Sequence, residues 1–389
     1  MKITDIKSYA LMYMKESPAL PRPFLLVKVE TDCGVFGYGE ASSAYGHSFP
    51  LVVQEIIDGI FKRILLGEDP VDIERLVTKM RTYIWGYLGA GGVATQAISA
   101  VEIALWDILG KVANMPIYKL LGADKREIEV YATGAANFEV DFEWHKKFFA
   151  RNLKEGFKGV KIRVGKDKDW DEELVSTTRN FVGDDIKIMI DAYMTYRPST
   201  ATEMSERFVK YKPYFFEEPV SQHDLTSLAN ITRNSKIPIA IGERVGSLFA
   251  FKELIENRIG NIYQPDATIV GGIKECIAVC SMAEAFSIPC IPHIGGLSAI
   301  GYAANLHVSL ASRNVDLLEV DGAEWQPMRD ELLHEPIFDT STCLTNGMLA
   351  APDKPGLGIS VNEDIFERYP YKRGLVYTDV FPQYGAGIL

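Results

Sequence analysis

Cysteine is scarce in this chain and badly spaced for cross-linking: five among 389 residues, with no C-x-x-C pair. An odd, scattered set fits reduced thiols better than a disulfide framework. Cys276 and Cys280 stand four apart in an apolar stretch of helical period, and both are expected in the core rather than on a metal. Positive charge is also short, with 41 Lys and Arg against 52 Asp and Glu and a formal net charge of -11. Binding a phosphate backbone needs a basic face, so nucleic acid is not expected as a partner. A small anionic substrate stays open, because a bound cation reverses the local field. Long apolar runs are missing as well. The opening MKITDIKSYALMYMKES has no unbroken signal-peptide core, and no run is expected to be long enough to span a bilayer. The expected location is the cytoplasm, with no membrane partner.

What is present changes rhythm twice along the chain. Residues 1–40 read as an antiparallel meander: ITDIKSYALMY, then FLLVKVET, a turn at Asp32–Gly34, and VFGYGE. The intervening KESPALPRP, with three prolines, reads as a loop. From Pro50 to about Leu121 the apolar residues take a helical period, and strands followed by a separate run of helices mark an α+β domain over residues 1–124. From about Asp124, short β-rich runs alternate with amphipathic helical stretches: EVYATGA, GVKIRV, IKIMIDA, YFFEEP, IPIAIGE, NIYQPDA, IPCIPHI and VDLLEV. Eight β–α units in succession specify a parallel sheet closed as a (β/α)8-type barrel over residues 125–335. A loop-rich segment, 336–389, carries a possible hairpin and is expected to pack back on the N-terminal domain.

Chemistry in such barrels sits at the C-terminal ends of the strands. There the sequence places Lys161 and Arg163, Asp191, Glu217 and Glu218, Glu243, Asp266, His293 and Glu319, from the second strand to the eighth. Stability alone does not explain them, since buried charges cost several kcal/mol unless paired or bound to metal. Asp191, Glu217 and Glu243 come from adjacent strands and suit a hard divalent cation, Mg2+ first and Mn2+ second. The plainer alternative is that each acid pairs with Lys161, Arg163 or Arg244. Of the two neighbouring glutamates, Glu217 is the expected ligand, because successive strand residues face opposite ways. His293 and Asp266 lie on neighbouring strands and form a candidate imidazole–carboxylate pair for general-base work. Glu319, if secluded and protonated, would donate a hydrogen bond to a developing oxyanion. His223 reads as a loop or capping residue. The Gly271–Gly272 pair resembles a phosphate-binding turn but lacks the surrounding G-x-G-x-x-G context.

At these residues the sequence resembles the enolase superfamily, in its mandelate racemase-like branch. The likeness runs over nearly the whole chain, through AISAVEIALWDILGKVANMPIYKLLG and the ordered set Lys161-x-Arg163, Asp191, Glu217-Glu218-Pro219, Gly242-Glu243, Asp266, Gly271–Gly272, His293 and Glu319. The resemblance implies an N-terminal α+β capping domain over a modified (β/α)7β TIM barrel. It also implies a metal at Asp191, Glu217 and Glu243, with acid–base chemistry at the second strand and at His293–Asp266. Substrate-selecting loops would fall at residues 15–23 and around Tyr45–His47, so Tyr45, His47 and Tyr193 are candidate substrate contacts. Assembly into a dimer or octamer is common in the family and expected here. Two departures stand out. Tyr193 replaces the usual asparagine two residues after the first metal ligand, and Arg163 replaces the second lysine of the racemases.

Arginine stays protonated and makes a poor proton acceptor, so one face of the substrate carbon lacks a base. His293 is left as the main proton handler, which is enough for dehydration but not for racemisation. The expected activity is loss of water from a small-molecule carboxylate, a sugar acid such as gluconate, galactonate or a pentonate, giving a 2-keto-3-deoxy acid. Lys161 and Arg163 would then hold the substrate carboxylate. The alternatives are a racemase, epimerase or lactone cycloisomerase working through the same enolate, or a metal-binding barrel without turnover.

Overall fold

The computed structural model describes residues 1–13, 22–42, 50–125, 127–135, 141–322, 331–334 and 344–372. Tyr45 and His47 lie outside the described residues, as does most of the 15–23 segment. Arg22 and Pro23 begin a strand. The chain opens with the expected meander, β1 (Ile3–Tyr13), β2 (Arg22–Thr31) and β3 (Phe36–Ala41), paired antiparallel in that order. Helices α1 (Pro50–Ile56) and α2 (Lys62–Leu65) are joined by a π-helical turn, Ile57–Phe61. Then come α3 (Ile73–Leu88), α4 (Gly92–Ala113) and α5 (Ile117–Leu120).

Helix α4 packs unusually close to β3, and the sequence GYGE explains how. A Cβ on Gly37 would lie 2.1 Å from the Ala104 carbonyl oxygen, and one on Gly39 1.7 Å from that of Ala100. Glycine at alternate positions lets the helix backbone rest on the sheet, while Tyr38 and Glu40 take the opposite face. Helix α4 also corrects one expectation: among the described residues it is the one helix long and apolar enough, by length and composition, to cross a membrane. Yet 72% of its most apolar window is buried inside the fold, as expected of a core helix.

The second rhythm folds as β4 (Glu127–Ala135), α6 (Phe142–Lys154), β5 (Gly159–Arg163), α7 (Lys168–Val182), β6 (Lys187–Asp191) and α8 (Pro198–Phe208). It continues as β7 (Phe215–Glu217), α9 (Leu225–Asn234), β8 (Ile239–Ile241), α10 (Leu248–Glu256) and β9 (Ile262–Tyr263). Last come α11 (Ala267–Val270), α12 (Ile273–Ala285), α13 (Ala299–Ala311) and β10 (Leu317–Asp321). Asp141, Asp167, Asp224, Ser247 and Ser298 each accept a backbone N–H at the start of the helix they precede, which is why the strands give way to helices there.

Strands β4 to β9 pair in parallel in sequence order, and β10 returns to pair with β4. The predicted seventh strand, IPCIPHI, is not a regular strand. Pro289 and Pro292 remove ladder donors, leaving a single bridge between Cys290 and Tyr263. The segment still fills its place: the Cys290 N–H donates to Asn314 just before β10, and that of Ile291 to Tyr263. Ile291 joins Tyr131, Met189, Phe215, Ala240, Ile262 and Leu317 in one buried cluster inside the barrel. Gly159 stands opposite Tyr131, where a Cβ would be 2.8 Å from the tyrosine Cβ.

The C-terminal segment divides between the two layers. Strands β11 (Leu344–Thr345) and β12 (Met348–Ala350) form a hairpin across Asn346–Gly347, both at positive φ, and β12 pairs with barrel strand β4 rather than with the capping sheet. Further on, Tyr369 and Tyr371 bond to Met12 and Ala10 of β1, and Glu363 meets Lys28 and Tyr38.

Candidate active site

Two residues beyond the interior cluster, on the same inward side, stand Asp191, Glu217, His293 and Glu319 (from Met189, Phe215, Ile291 and Leu317). Strand register sets Arg163 beside Asp191 and Asp191 beside Glu217. Just past β8 the chain turns at Gly242, φ 128°, and presents Glu243. The three candidate ligands are brought together, with one oxygen of each of Asp191, Glu217 and Glu243 within 4.8 Å of the others, all buried. Oxygens about 2.1 Å from an octahedral cation are about 3 to 4 Å apart, so a small contraction fits them to one ion.

Charge counting supports the same use. Asp191, Glu217, Glu218, Glu243, Asp266 and Glu319 are buried together against Lys161, Arg163 and Arg244. Lys161 Nζ lies 2.9 and 3.0 Å from the Glu217 oxygens, 2.7 Å from Glu319 and 3.9 Å from Asp191. Arg163 reaches Asp191 at 3.0 Å. Arg244 pairs with Glu243 and lies 3.4 Å from Glu218. The carboxylates still outnumber these cations, and Glu243 Oε2 is buried and accepts no hydrogen bond among the described residues, His293 Nε2 lying 3.5 Å away. Burial, then the charges of Asp191 and Glu243, push the Glu217 carboxyl well up despite Lys161. A divalent cation answers both the orphan oxygen and the excess of negative charge.

His293 faces this cluster. Its Nδ1 is 3.0 Å from Asp266 Oδ2, and its Nε2 is 3.5 Å from Glu243 Oε2. The carboxylate accepts only, so Nδ1 carries the proton and Nε2 is the reactive nitrogen. Asp266 is itself pinned: its Oδ1 accepts from the Thr268 N–H and hydroxyl and from Asn305 Nδ2, at 2.8, 2.7 and 3.0 Å. Burial disfavours the imidazolium, but Glu243 and the Asp266 hydrogen bond outweigh it and raise His293 to about 10. Metal binding is therefore expected to release the proton held by His293, so apparent Mg2+ affinity should rise with pH up to about 10. Calorimetric titration in buffers of different ionisation heat detects that proton. A binding heat independent of buffer would contradict the expectation.

Glu319 overturns one expectation. Burial favours its neutral form, but the Lys161 ammonium, His293 and the Ile294 N–H hold it below the usual carboxylate range. Its Oε2 accepts from the Ile294 and Gly295 N–H groups at 3.0 and 3.3 Å. It is an ionised acceptor that aims Lys161, not a protonated donor. Lys161 in turn is disfavoured by burial yet held firmly charged by Glu217 and Glu319. Tyr193, at φ 50°, lies between the Arg163 and Arg244 guanidinium groups, 4.5 and 4.3 Å from its ring centre, and donates its N–H to Asp191 Oδ1 at 2.8 Å.

The sequence reading missed several members of this constellation. Arg244 entered it only as a possible pairing partner. Thr268 and Asn305, which orient Asp266, carry no spacing signal. Gln264, fully buried, has neither amide atom hydrogen-bonded among the described residues. The signal available for Gln264 was its place two residues after Ile262 on the inward side of β9. His223 stands beside Asp224, the cap of α9, as a loop residue. The Gly271–Gly272 turn is filled from within: Glu102 of α4 accepts the Ile273 and Lys274 N–H groups at 2.7 and 2.9 Å, the donors a phosphate would need.

Known proteins resemble this chain in both sequence and shape. Arabinonate dehydratase of Saccharolobus solfataricus is 38% identical, over 95% of this chain and 100% of its own length. The crystal structure of the 3,6-anhydro-D-galactonate cycloisomerase from Zobellia galactanivorans superposes with a TM-score of 0.87 at 31% identity, covering 96% of this chain and all of the other. That of a racemase from Streptomyces coelicolor A3(2) with bound magnesium gives 0.86 at 26% identity, covering 95% and 100%. Residues 146–365 match the enolase C-terminal domain-like family and residues 17–122 the N-terminal domain of mandelate racemase and muconate lactonizing enzyme. The chain therefore belongs to the mandelate racemase/muconate lactonizing enzyme family of the enolase superfamily.

Proposed function

We propose that the protein is a Mg2+-dependent dehydratase of an aldonic acid, a hydro-lyase that yields a 2-keto-3-deoxy sugar acid. The observation that carries this reading is the His293 Nε2 facing three clustered carboxylates, its Nδ1 locked by Asp266, with Arg163 where a second base would stand. The likeness to an arabinonate dehydratase over the whole chain supports the substrate class.

Asp191, Glu217 and Glu243 would hold the cation, which when bound supplies positive charge beside the substrate carboxylate and makes the neighbouring C–H more acidic. Glu243, 3.5 Å from His293 Nε2, favours the imidazolium, and its engagement as a cation ligand would relax that hold and favour the neutral imidazole that can accept a proton. His293 Nε2 takes the α-proton. The electrons of that C–H bond move onto the carboxylate as an enolate and then return to form the C=C bond as the β-carbon–oxygen bond breaks, and the imidazolium gives its proton to the departing hydroxyl, which leaves as water. The resulting enol tautomerises to the ketone. Lys161, fixed by Glu319, and Arg163, braced against Tyr193, oppose the charge that grows on the carboxylate.

Incubation of the purified protein and Mg2+ with pentonates, gluconate and galactonate tests this directly. The expected result is a 2-keto-3-deoxy product from at least one, with one solvent proton incorporated at C3. The similarity to a cycloisomerase keeps a second reading in view. Solvent deuterium entering the α-carbon without loss of water would favour that one, and silence across the panel would remove the dehydratase.

A further inference from the structure

We infer that Glu40, on the capping-domain strand β3, is a positioning residue for the general base. Its fully buried carboxylate leaves the capping domain and enters the N-terminus of barrel helix α13. Oε1 accepts the Ser298 N–H at 2.9 Å. Oε2 accepts the Ser298 hydroxyl at 2.5 Å and the Gly301 N–H at 2.7 Å. A helix N-terminus presents orphan donors and a positive dipole end, so a carboxylate there fixes the first turn.

That turn leads straight to the catalytic pair. Gly301, whose N–H bonds Glu40, accepts Asn305 Nδ2 on its carbonyl at 3.2 Å, one helical turn on. Asn305 clamps both sides of the Asp266 backbone step: Nδ2 donates to Asp266 Oδ1 at 3.0 Å, and Oδ1 accepts the Ala267 N–H at 2.9 Å. Asp266 holds His293 Nδ1. Its remaining Oδ1 bonds come from Thr268, whose methyl would touch any Cβ added to Gly301 and whose carbonyl accepts the Ser42 N–H at 3.3 Å, just past the end of β3. Both holders of Asp266 thus rest on the end of β3. The path Glu40, Gly301, Asn305, Asp266, His293 is continuous in hydrogen bonds and involves none of the candidate metal ligands. Glu102 offers a built-in comparison. It also reaches from the capping domain to a barrel helix N-terminus, that of α12, but none of its hydrogen bonds leads to Asp266.

The inference rests on His293 being the proton acceptor of the proposed reaction, and the test separates the two. In the Mg2+-loaded full-length protein, Glu40→Gln keeps the side-chain shape but turns an amide toward N–H donors. It is expected to shift or broaden the downfield 1H NMR resonance of the His293 Nδ1–H and to lower kcat about tenfold, with KM and Mg2+ affinity within about twofold of the original. Glu102→Gln should leave resonance and kcat unchanged. Should Glu40→Gln not fold, Ser298→Ala removes one of the three bonds to Glu40 together with the cap bond from the Ile300 N–H, and should give a smaller change of the same kind, whereas Ser298→Thr, which keeps both, should give none. A wild-type resonance and kcat in Glu40→Gln, or an equal loss of kcat in Glu102→Gln, would overturn the assignment. If the wild type dehydrates no aldonate, the proposed function fails, while the resonance still decides whether Glu40 positions His293.

Discussion

Replacing His293 with asparagine is expected to lower kcat for dehydration about a thousand- to ten-thousand-fold while leaving the fold and the divalent-ion centre in place. The imidazole is fully enclosed, and its Nε2 lies across from Glu243 with no other neutral base among the described residues of the site. Lys161 is held charged by two carboxylates, and Arg163 is a guanidinium paired to Asp191, so neither takes over proton abstraction. Asparagine can still donate toward Asp266, which limits the structural cost, but it has no basic nitrogen. Exchange of the substrate α-proton with D2O should vanish together with water loss, since both begin with the same abstraction. A second signature follows from the charge of the free protein. His293 is pushed up to about 10, chiefly by Glu243 against the penalty of burial, so it is protonated at neutral pH and competes with the cation. Without it, Mg2+ affinity at neutral pH should rise slightly and depend less on pH. Turnover within tenfold of the original would remove His293 from the mechanism.

How far this site was legible in the sequence differs residue by residue. Asp191 and Glu217 were readable because each closes a short β run before a helix, and period-2 alternation then dictates which way it points. Glu243 was found by position but not by geometry, since the turn at Gly242 re-aims it. His293 was found although its strand is irregular, because Pro289 and Pro292 break the ladder while Ile291 keeps the segment seated inside the barrel. The ionisation of Glu319 was misread, because Lys161 reaches it from β5, and no local pattern shows a partner 158 positions earlier (319 against 161). The same holds for Glu40 and Ser298, which meet across the two layers. Local rules place side chains on faces, whereas protonation and pairing depend on what the folded barrel brings opposite.

Changing Glu217 to glutamine is expected to abolish turnover and weaken Mg2+ binding at least about a hundredfold, yet leave the metal-free protein as stable as before or more so. Burial, then the charges of Asp191 and Glu243, already push the Glu217 carboxyl well above its ordinary range, so its ionised form is held at a cost in the absence of a cation. Glutamine imitates the neutral acid, and Lys161 keeps Glu319 at 2.7 Å. Metal-free melting temperatures should therefore match or exceed those of the original. The difference emerges on adding Mg2+. A ligand at a hundred times its Kd stabilises the protein that binds it by about 2.7 kcal/mol, and that increment should fall to about 0.4 kcal/mol or less in Glu217→Gln at the same concentration. The paired result, unchanged metal-free melting with loss of the Mg2+-induced shift, sets a ligand carboxylate apart from a structural salt bridge. A structural partner of Lys161 would lower the metal-free melting temperature and leave the Mg2+ shift intact, and that outcome would dismantle the divalent centre on which the proposed chemistry rests.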